Sequence, residues 1–149
     1  MAWLLVGLQV VLLVAIVIVP GEPGLDVPEA VRALGYGLVG VGFGIVLLAT
    51  FGLGDSLTPS PLPREGGSLV TTGLYRQVRH PIYSGVLLIG LGLTVSNASL
   101  WRLVVLVALL GLFTVKTNIE ERALRARYEG YADYALRTPR FVPMPWRRR

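Results

Sequence analysis

The residues with the clearest capacity for chemistry lie in one short stretch, RQVRHPIYSG at residues 76–85. It contains two arginines and the chain's only histidine, directly before a proline that opens a long apolar run. A second ionisable group follows another apolar run and contains Lys116, Glu120 and Glu121. Histidine and glutamate can move a proton near neutral pH, whereas arginine and lysine can hold an anion. Charges at the edge of an apolar run either anchor it at a membrane surface or form a functional site.

The composition predicts a membrane protein. The chain has 149 residues, of which 53% are hydrophobic and 15% charged, with a mean hydropathy of +0.63. This is far more apolar than an ordinary soluble domain. At this length we expect one domain spanning residues 1–149. Cysteine is absent and histidine occurs once, which excludes disulfides and thiolate chemistry and leaves us expecting no protein-bound metal.

The hydropathy pattern predicts an all-α integral membrane protein with about four transmembrane helices. The apolar runs span residues 1–19, 31–53, 82–95 and 100–115. Residues 1–53 would form two N-terminal spans, the first retained because it has neither a basic n-region nor a cleavage site. Gly40 and Gly44 form a small-xxx-small step that predicts close helix packing. Pro81 suits the first turn of the third helix, and residues 96–99 predict a tight hairpin.

The remaining segments predict the orientation. Residues 54–79 are rich in proline, glycine and serine and predict an ordered loop. This loop carries Arg64, Arg76 and Arg79, whereas residues 20–32 are mainly acidic, so we expect the loop, the active site and both termini to lie in the cytoplasm of a multi-pass protein, in the cell membrane. Residues 117–136 predict one amphipathic C-terminal helix. The net charge of +5 and the tail at residues 146–149 favour binding to anionic lipid headgroups over nucleic acid.

Two motifs then carry a resemblance. The first, within SLVTTGLYRQVRHPIYSG, is formed by Gly73, Tyr75, Arg79-His80-Pro81, Tyr83 and Gly85. The second is formed by Glu120-Glu121, Leu124, Tyr131, Tyr134 and the segment from Pro139-Arg140 to Pro143. In this order the motifs resemble those of the isoprenylcysteine carboxyl methyltransferases and the related phospholipid methyltransferases, which are integral membrane enzymes. The resemblance covers roughly residues 55–145, so residues 54–149 would form the catalytic core.

The resemblance implies methyl transfer from S-adenosylmethionine, held by the C-terminal helices and the cytosolic segments rather than by a Rossmann domain. Carried over by position, the cofactor-binding residues are Ser68, Leu69, Val70, Tyr75, His80, Pro81, Ile82, Tyr83 and Glu120. The family's acceptor-side arginine falls on Lys116, which keeps the charge but loses the bidentate guanidinium; Arg140 can compensate. Glu121, with His80 and Glu120, is a candidate base. The catalytic candidates are therefore Lys116, Glu121 and Arg140.

Several alternatives stay open. The methyl acceptor can be a prenylcysteine-like carboxylate, which needs no base, or a lipid amine, which must lose a proton first. Membrane sterol reductases share a similar C-terminal architecture and bind a nicotinamide dinucleotide, but they are longer. A non-enzymatic scaffold or lipid-binding protein of the same fold is the third possibility. In that case His80 would only cap its helix, the tyrosines would lie in the membrane interface, and Lys116 would extend to the headgroups. The oligomeric state is not readable from the sequence.

Overall fold

The computed structural model describes residues 2–22, 25–58 and 66–143, and all regular structure in these segments is helical. Five α-helices follow in order: α1 Ala2–Ile18, α2 Glu29–Leu53, α3 Pro81–Asn97, α4 Leu100–Arg127 and α5 Tyr131–Arg137. Two short 3₁₀ turns, Gly54–Ser56 and Gly73–Arg76, lie in the loop between α2 and α3. The prediction of an all-helical protein is confirmed for the described segments.

Two of the helices, α2 and α4, are long and apolar enough to cross a membrane. Helices α1 and α3 are also apolar but have 17 residues each. At about 1.5 Å per residue they reach ~26 Å, short of the ~30 Å hydrocarbon core. The prediction of four transmembrane helices is thus supported at α2 and α4 and stays a prediction for the other two. The orientation also stays a prediction, and the tail 146–149 and Arg64 lie outside the described residues.

The hairpin between α3 and α4 forms as predicted. Pro81 occupies the first turn of α3, where its missing N–H costs no hydrogen bond. The helix ends at Asn97, and the capping residue Ala98 adopts a left-handed conformation (φ 44°, ψ 45°). Ser99 then caps α4 by accepting a hydrogen bond from the N–H of Arg102 at 3.3 Å. The reversal therefore takes place at Ala98 and Ser99, the two residues between the helices.

The C-terminal segment corrects one prediction. Residues 117–136 do not form a separate amphipathic helix, because residues 117–127 continue α4 and the chain turns at residues 128–130 before α5. Tyr128 is extended (φ −120°, ψ 111°), and its hydroxyl donates to the carbonyl of Gly67 at 2.6 Å. This long-range contact accompanies the break, which helical periodicity does not reveal. The turn brings the tyrosines of α5 close to the loop that precedes α3.

Helices α2 and α3 pack through two facing glycine pairs. A methyl group on Gly35 would lie 2.7 Å from the carbonyl oxygen of Gly92, and one on Gly42 would lie 2.7 Å from that of Gly85. Real side chains do not tolerate such distances, so glycine is required for this approach. Gly40 and Gly44 meet nothing within 4 Å. The predicted Gly40–Gly44 packing step is therefore wrong, and the contact uses Gly35 and Gly42, which are seven residues apart on the other face.

The start of α4 carries a buried cation. Arg102 is 8% exposed, and its guanidinium donates to the carbonyls of Val19 (2.7 Å), Leu93 (3.0 Å) and Val17 (3.3 Å). Val17 lies in the last turn of α1 and Val19 just after it, where helix geometry leaves carbonyl oxygens unpaired. Leu93 lies one residue before the last turn of α3, and its carbonyl also accepts from Ser96 and Asn97. A positive charge is also favoured near helix C-termini. Arg102 therefore joins three helix ends. Between it and the opposite end of α4, Ile16, Leu109 and Phe113 form the apolar core.

Candidate active site

His80 is fixed at the start of α3 by the segment that follows α5. The main-chain N–H groups of Arg79 and His80 donate to the carbonyls of Pro139 (2.8 Å) and Arg140 (3.1 Å). One turn later the Ser84 hydroxyl donates to the carbonyl of Phe141 at 2.7 Å. These bonds join the two motifs that are separated in sequence. The His80 side chain is thereby held in the interior, with 6% of the residue exposed.

Glu121 forms the centre of a buried ion cluster. Its two carboxylate oxygens accept bidentate hydrogen bonds from Arg140, at 3.0 and 3.1 Å. Arg79 lies 3.0 Å from the same carboxylate, and Nε2 of His80 lies at 3.3 Å. A carboxylate between two guanidinium groups stays ionised and can only accept, so His80 donates its Nε2–H to Glu121. Glu121 therefore orients the imidazole.

Glu120 has a different environment although it is adjacent in sequence. Successive residues on a helix differ by about 100° around the axis, so the two side chains point in different directions. The Glu120 carboxylate accepts from the Tyr83 hydroxyl at 3.3 Å and lies 3.7 Å from Nδ1 of His80. Its side chain is 29% exposed, against 4% for Glu121. Glu120 is thus the carboxylate available to a ligand.

Stacked rings form the wall beside Glu120. The Tyr83 ring stacks on His80 with centroids 5.6 Å apart and on Phe113 with centroids 4.5 Å apart. The Lys116 ammonium lies 5.5 Å from the centre of the Tyr83 ring. Lys116 also donates to the carboxamide oxygen of Gln9 on α1. Aromatic faces attract a cation, so this wall suits a positively charged ligand group as well as a flat ring.

Two adjoining cavities meet at these residues. The smaller, of about 90 Å³, lies against the loop before α3 and against α5. The larger, of about 260 Å³, extends towards α1 and α4 and includes Gln9 and Lys116 in its lining. The lining of both contains Leu53, Thr58, Tyr75, Arg79, His80 and Glu120. The larger cavity is slightly below the ~300–1,000 Å³ of typical small-molecule pockets, and the smaller one extends it.

Most residues predicted for the site lie around these cavities. The smaller cavity is lined by Ser68, Leu69 and Val70; the larger by Ile82, Tyr83 and Lys116; and both by Tyr75, His80 and Glu120. Pro81 is buried at the start of α3 and is absent from both linings. Glu121 and Arg140 are also absent from both, because they bind each other. The structure thus brings all twelve together, although the roles assigned to them stay predictions.

Some lining residues were not among those predicted. Gln9 stands alone as an amide within the apolar helix α1, and a polar group in such a helix is costly unless it has a partner. That isolation is a signal that the sequence already contained. Arg79 belongs to the first motif but was not assigned to the site, and only 10% of its side chain is exposed. Nothing in the sequence identified Thr58 or Leu53 as residues that line the cavities.

The tyrosines around the smaller cavity are hydrogen-bond donors. Burial and the charge of Glu120 raise the pKa of the Tyr75 hydroxyl, which donates to the carbonyl of Ala49 at 3.4 Å. Burial raises the pKa of Tyr134 to about 12, and its hydroxyl donates to the carbonyl of Tyr75. Both phenols therefore stay protonated at physiological pH. Together they connect α2, the loop and α5 around the cavity.

Comparison with known proteins points to the same region. Residues 30–130 match the phospholipid methyltransferase family. The chain is 38% identical over 81 residues to the cobalt-zinc-cadmium resistance protein CzcN of Cupriavidus metallidurans, and 34% identical over 82 residues to the nickel-cobalt-cadmium resistance protein NccN of Alcaligenes xylosoxydans xylosoxydans. Each alignment covers 54% of this chain and 38% of the relative, so the chain spans well under half of either. The family match covers about two thirds of the chain, including His80, Lys116 and both glutamates, and the chain belongs to the phospholipid methyltransferase family, within the isoprenylcysteine carboxyl methyltransferase-like group of membrane methyltransferases.

Proposed function

We propose that this protein is an integral membrane methyltransferase that uses S-adenosylmethionine and methylates a lipidic or small hydrophobic acceptor. The observation that carries the proposal is the pair of adjoining cavities that share His80 and Glu120. One cavity lies against the loop before α3 and includes Ser56, Thr58 and Ser68 in its lining, and the other extends between apolar helices. This arrangement suits a reaction between a charged, soluble cofactor and a partner dissolved in lipid.

The residues present fit the cofactor. Leu69, Val70 and Tyr75 offer an apolar and aromatic surface for a nucleoside. The partly exposed Glu120 can bind an ammonium group or ribose hydroxyls. The Tyr83 ring lines the larger cavity and offers aromatic surface beside a sulfonium cation. S-adenosylmethionine supplies a methyl group on sulfur; during transfer the S–CH₃ bond breaks with its electrons going to sulfur, while a bond forms to the acceptor.

The chain's own residues contribute position and a dry environment. Stacking on His80 and Phe113 fixes Tyr83, and the Glu121 cluster fixes His80, so both border the cavities in defined orientations. Holding two reactants in line and excluding water is the main source of acceleration for such a displacement. Glu121 and Arg140 then support catalysis by positioning His80, and Lys116 lies on the acceptor side.

The two acceptor classes require different groups. A carboxylate acceptor needs no base and would be attracted by Lys116, which lines the larger cavity. A lipid amine must lose a proton, and Nδ1 of His80 or the Glu120 carboxylate would receive it. Both residues border the cavities, so the experiment tests both acceptor classes.

We further propose that the site opens to the cytoplasm, where the cofactor is available, and that the protein crosses the cell membrane several times with both termini inside. The basic loop and the basic tail support this orientation. Anionic lipid headgroups are the expected surface partners of that tail, and nucleic acid is not. The names of the two relatives refer to metal resistance; the proposal is based on the family and the site instead.

The test is calorimetric titration of the detergent-purified protein with S-adenosylhomocysteine, the demethylated product. Wild-type protein should bind it saturably, and His80→Ala and Glu120→Gln should abolish or greatly weaken binding. Leu136→Ala is a matched control, because Leu136 is 76% exposed on α5 and lines neither cavity. A nicotinamide dinucleotide serves as the negative ligand.

The outcomes separate the hypotheses. Binding of the dinucleotide in place of S-adenosylhomocysteine would indicate a reductase. Binding of neither by folded protein would favour a scaffold and contradict the proposal. Where S-adenosylhomocysteine binds, transfer of a labelled methyl group to prenylcysteine analogues and to aminophospholipids then identifies the acceptor class.

A further inference from the structure

Two buried donor atoms beside the smaller cavity have no hydrogen-bond partner within the segments that the structure describes. They are Nε of Arg79 and the hydroxyl of Tyr131. Both residues contribute to the lining of that cavity. Tyr131 is 1% exposed, and the Arg79 side chain is 10% exposed, so water does not satisfy either donor. Folded proteins leave few buried donors unpaired, and each one calls for an explanation.

The remaining nitrogens of Arg79 are occupied. One donates to the carbonyl of Ala135 and another lies 3.0 Å from the carboxylate of Glu121. These contacts hold the planar guanidinium in one orientation and leave its Nε–H as the donor without a partner. The guanidinium is thus preorganised by α4 and α5.

Tyr131 is held with similar firmness. Its ring packs edge-on against Tyr134 with centroids 5.8 Å apart, and the guanidinium of Arg125 lies 6.0 Å from its centre. Burial raises the pKa of its hydroxyl above the ordinary range of tyrosine, so the hydroxyl keeps its proton. Two rigid donors, one of them on a cation, suit an anionic oxygen.

The neighbouring charge narrows the ligand further. The smaller cavity is also lined by Glu120, which disfavours a purely anionic ligand such as phosphate. A ligand group that places a cation next to an anion satisfies Glu120 and the unpaired donors together. The α-amino acid end of S-adenosylmethionine is such a group.

We propose that Arg79 Nε and the Tyr131 hydroxyl bind the α-carboxylate of S-adenosylmethionine, with Glu120 on the side of its ammonium. This inference rests on the function proposed above. His80 is less suited to the carboxylate, because its main-chain N–H is bound to Arg140 and its Nε2 to Glu121. Both residues line the smaller cavity while the two donor atoms are themselves buried, so this contact requires the surrounding side chains to shift when the ligand binds.

The test uses Tyr131→Phe, which removes one oxygen and keeps the ring. Arg79 is unsuited to a first test because its substitution would also release Glu121 and the end of α5. Calorimetry compares S-adenosylhomocysteine with its decarboxylated analogue, which keeps the nucleoside, the sulfur and the ammonium. The substitution should weaken S-adenosylhomocysteine about tenfold, as expected for a hydrogen bond to a charged group, and change the analogue less than about twofold.

The melting temperature without ligand distinguishes ligand binding by Tyr131 from a structural role. Without ligand, Tyr131→Phe removes an unsatisfied hydroxyl, so the melting temperature should stay the same or rise by roughly 2–4 °C. Tyr134→Phe is the matched control on the same helix, because it breaks the hydrogen bond to the Tyr75 carbonyl and should lower the melting temperature.

Each result has one meaning. If wild-type protein does not bind S-adenosylhomocysteine, the proposed function itself fails. Unchanged affinity in Tyr131→Phe would overturn this inference and leave the function standing. Equal weakening of both ligands would place the hydroxyl on another part of the cofactor, and a loss of stability like that of Tyr134→Phe would show a structural partner; both also overturn it.

Discussion

Helix α4 carries a buried charge near each end, and the two charges have different surroundings. Arg102 in the first turn donates to three main-chain carbonyls at helix ends. Glu121 lies 19 residues later, about 28 Å along the helix, and is bound by side chains that immediately precede α3 and by one from the segment after α5. Neither lines a cavity, but Glu121 binds His80 and Arg79, which do. Burial of a charge alone therefore does not mark a site.

The partners explain the difference. Main-chain carbonyls are present in every sequence, so Arg102 completes the hydrogen bonds of the fold itself. The partners of Glu121 are side chains that could have been apolar, and a buried ionic network is weak evidence for stability. By binding one nitrogen of His80 and one of Arg79, the Glu121 carboxylate leaves Nδ1 of His80 and Nε of Arg79 directed away from it. We therefore infer that the Glu121 end is organised for a ligand and the Arg102 end for stability.

Glu121→Gln should have the largest effect. It removes the charge that two arginines share, and breaking a buried pair typically costs about 3–5 kcal/mol. We expect the lower value, about 3 kcal/mol, because the Arg140 side chain is 37% exposed and can turn to solvent. The apparent melting temperature in detergent should fall by roughly 6–12 °C, with loss of S-adenosylhomocysteine binding. Unaltered binding would break the comparison, since Glu121 would then be purely structural.

Arg102→Met should destabilise without affecting the ligand. It leaves the carbonyls of Val17 and Val19 at the end of α1 without this donor, at a cost of about 2–3 kcal/mol. S-adenosylhomocysteine affinity, measured by calorimetry below the melting temperature, should stay within about twofold. Arg122→Met is the control, because Arg122 is exposed and should change stability by less than ~0.5 kcal/mol. A tenfold loss of affinity in Arg102→Met would show that the two ends are coupled.

Gly35→Ala tests the helix contact near the Arg102 end. Its methyl group would lie 2.7 Å from atoms of Gly92 and Ser96, so α2 and α3 must separate, at a cost of about 1–3 kcal/mol. Gly37→Ala, on the open face of the same helix, should be neutral or up to ~1 kcal/mol more stable. Thermal unfolding of the pair in the same detergent compares them directly. Equal stability of the two variants would contradict the glycine contact.

Lys116→Ala tests whether Lys116 acts on the acceptor side of the site, and it should have the smallest effect. We expect S-adenosylhomocysteine affinity within about threefold of wild type and turnover reduced about tenfold, because Lys116 lines the cavity on the acceptor side. Gln9→Leu, which removes the partner of Lys116, should act in the same direction more weakly. Equal loss of affinity and turnover would place Lys116 on the cofactor side instead.

Particular residues show how far the sequence could be interpreted. The helix starts at Pro81 and at Leu100 follow from proline and serine chemistry that acts within one turn, and both were predictable. The packing face of α2 was not, because Gly35, Gly40, Gly42 and Gly44 look alike until α3 is placed against them. The break at Tyr128 also required a partner 61 residues away in sequence, Gly67.

The sequence by itself determined the helical membrane character, the family and nine of the residues that line the two cavities, because hydropathy and short motifs are local properties. Only the tertiary structure decided that Glu120 faces the cavities while Glu121 is enclosed by arginines, that Gln9 contacts Lys116, and that Arg79 and Tyr131 keep unpaired donors. Each of these depends on which elements pack together. The sequence does not distinguish the environments of the adjacent glutamates. Their exposure and partners differ only because neighbouring elements enclose Glu121.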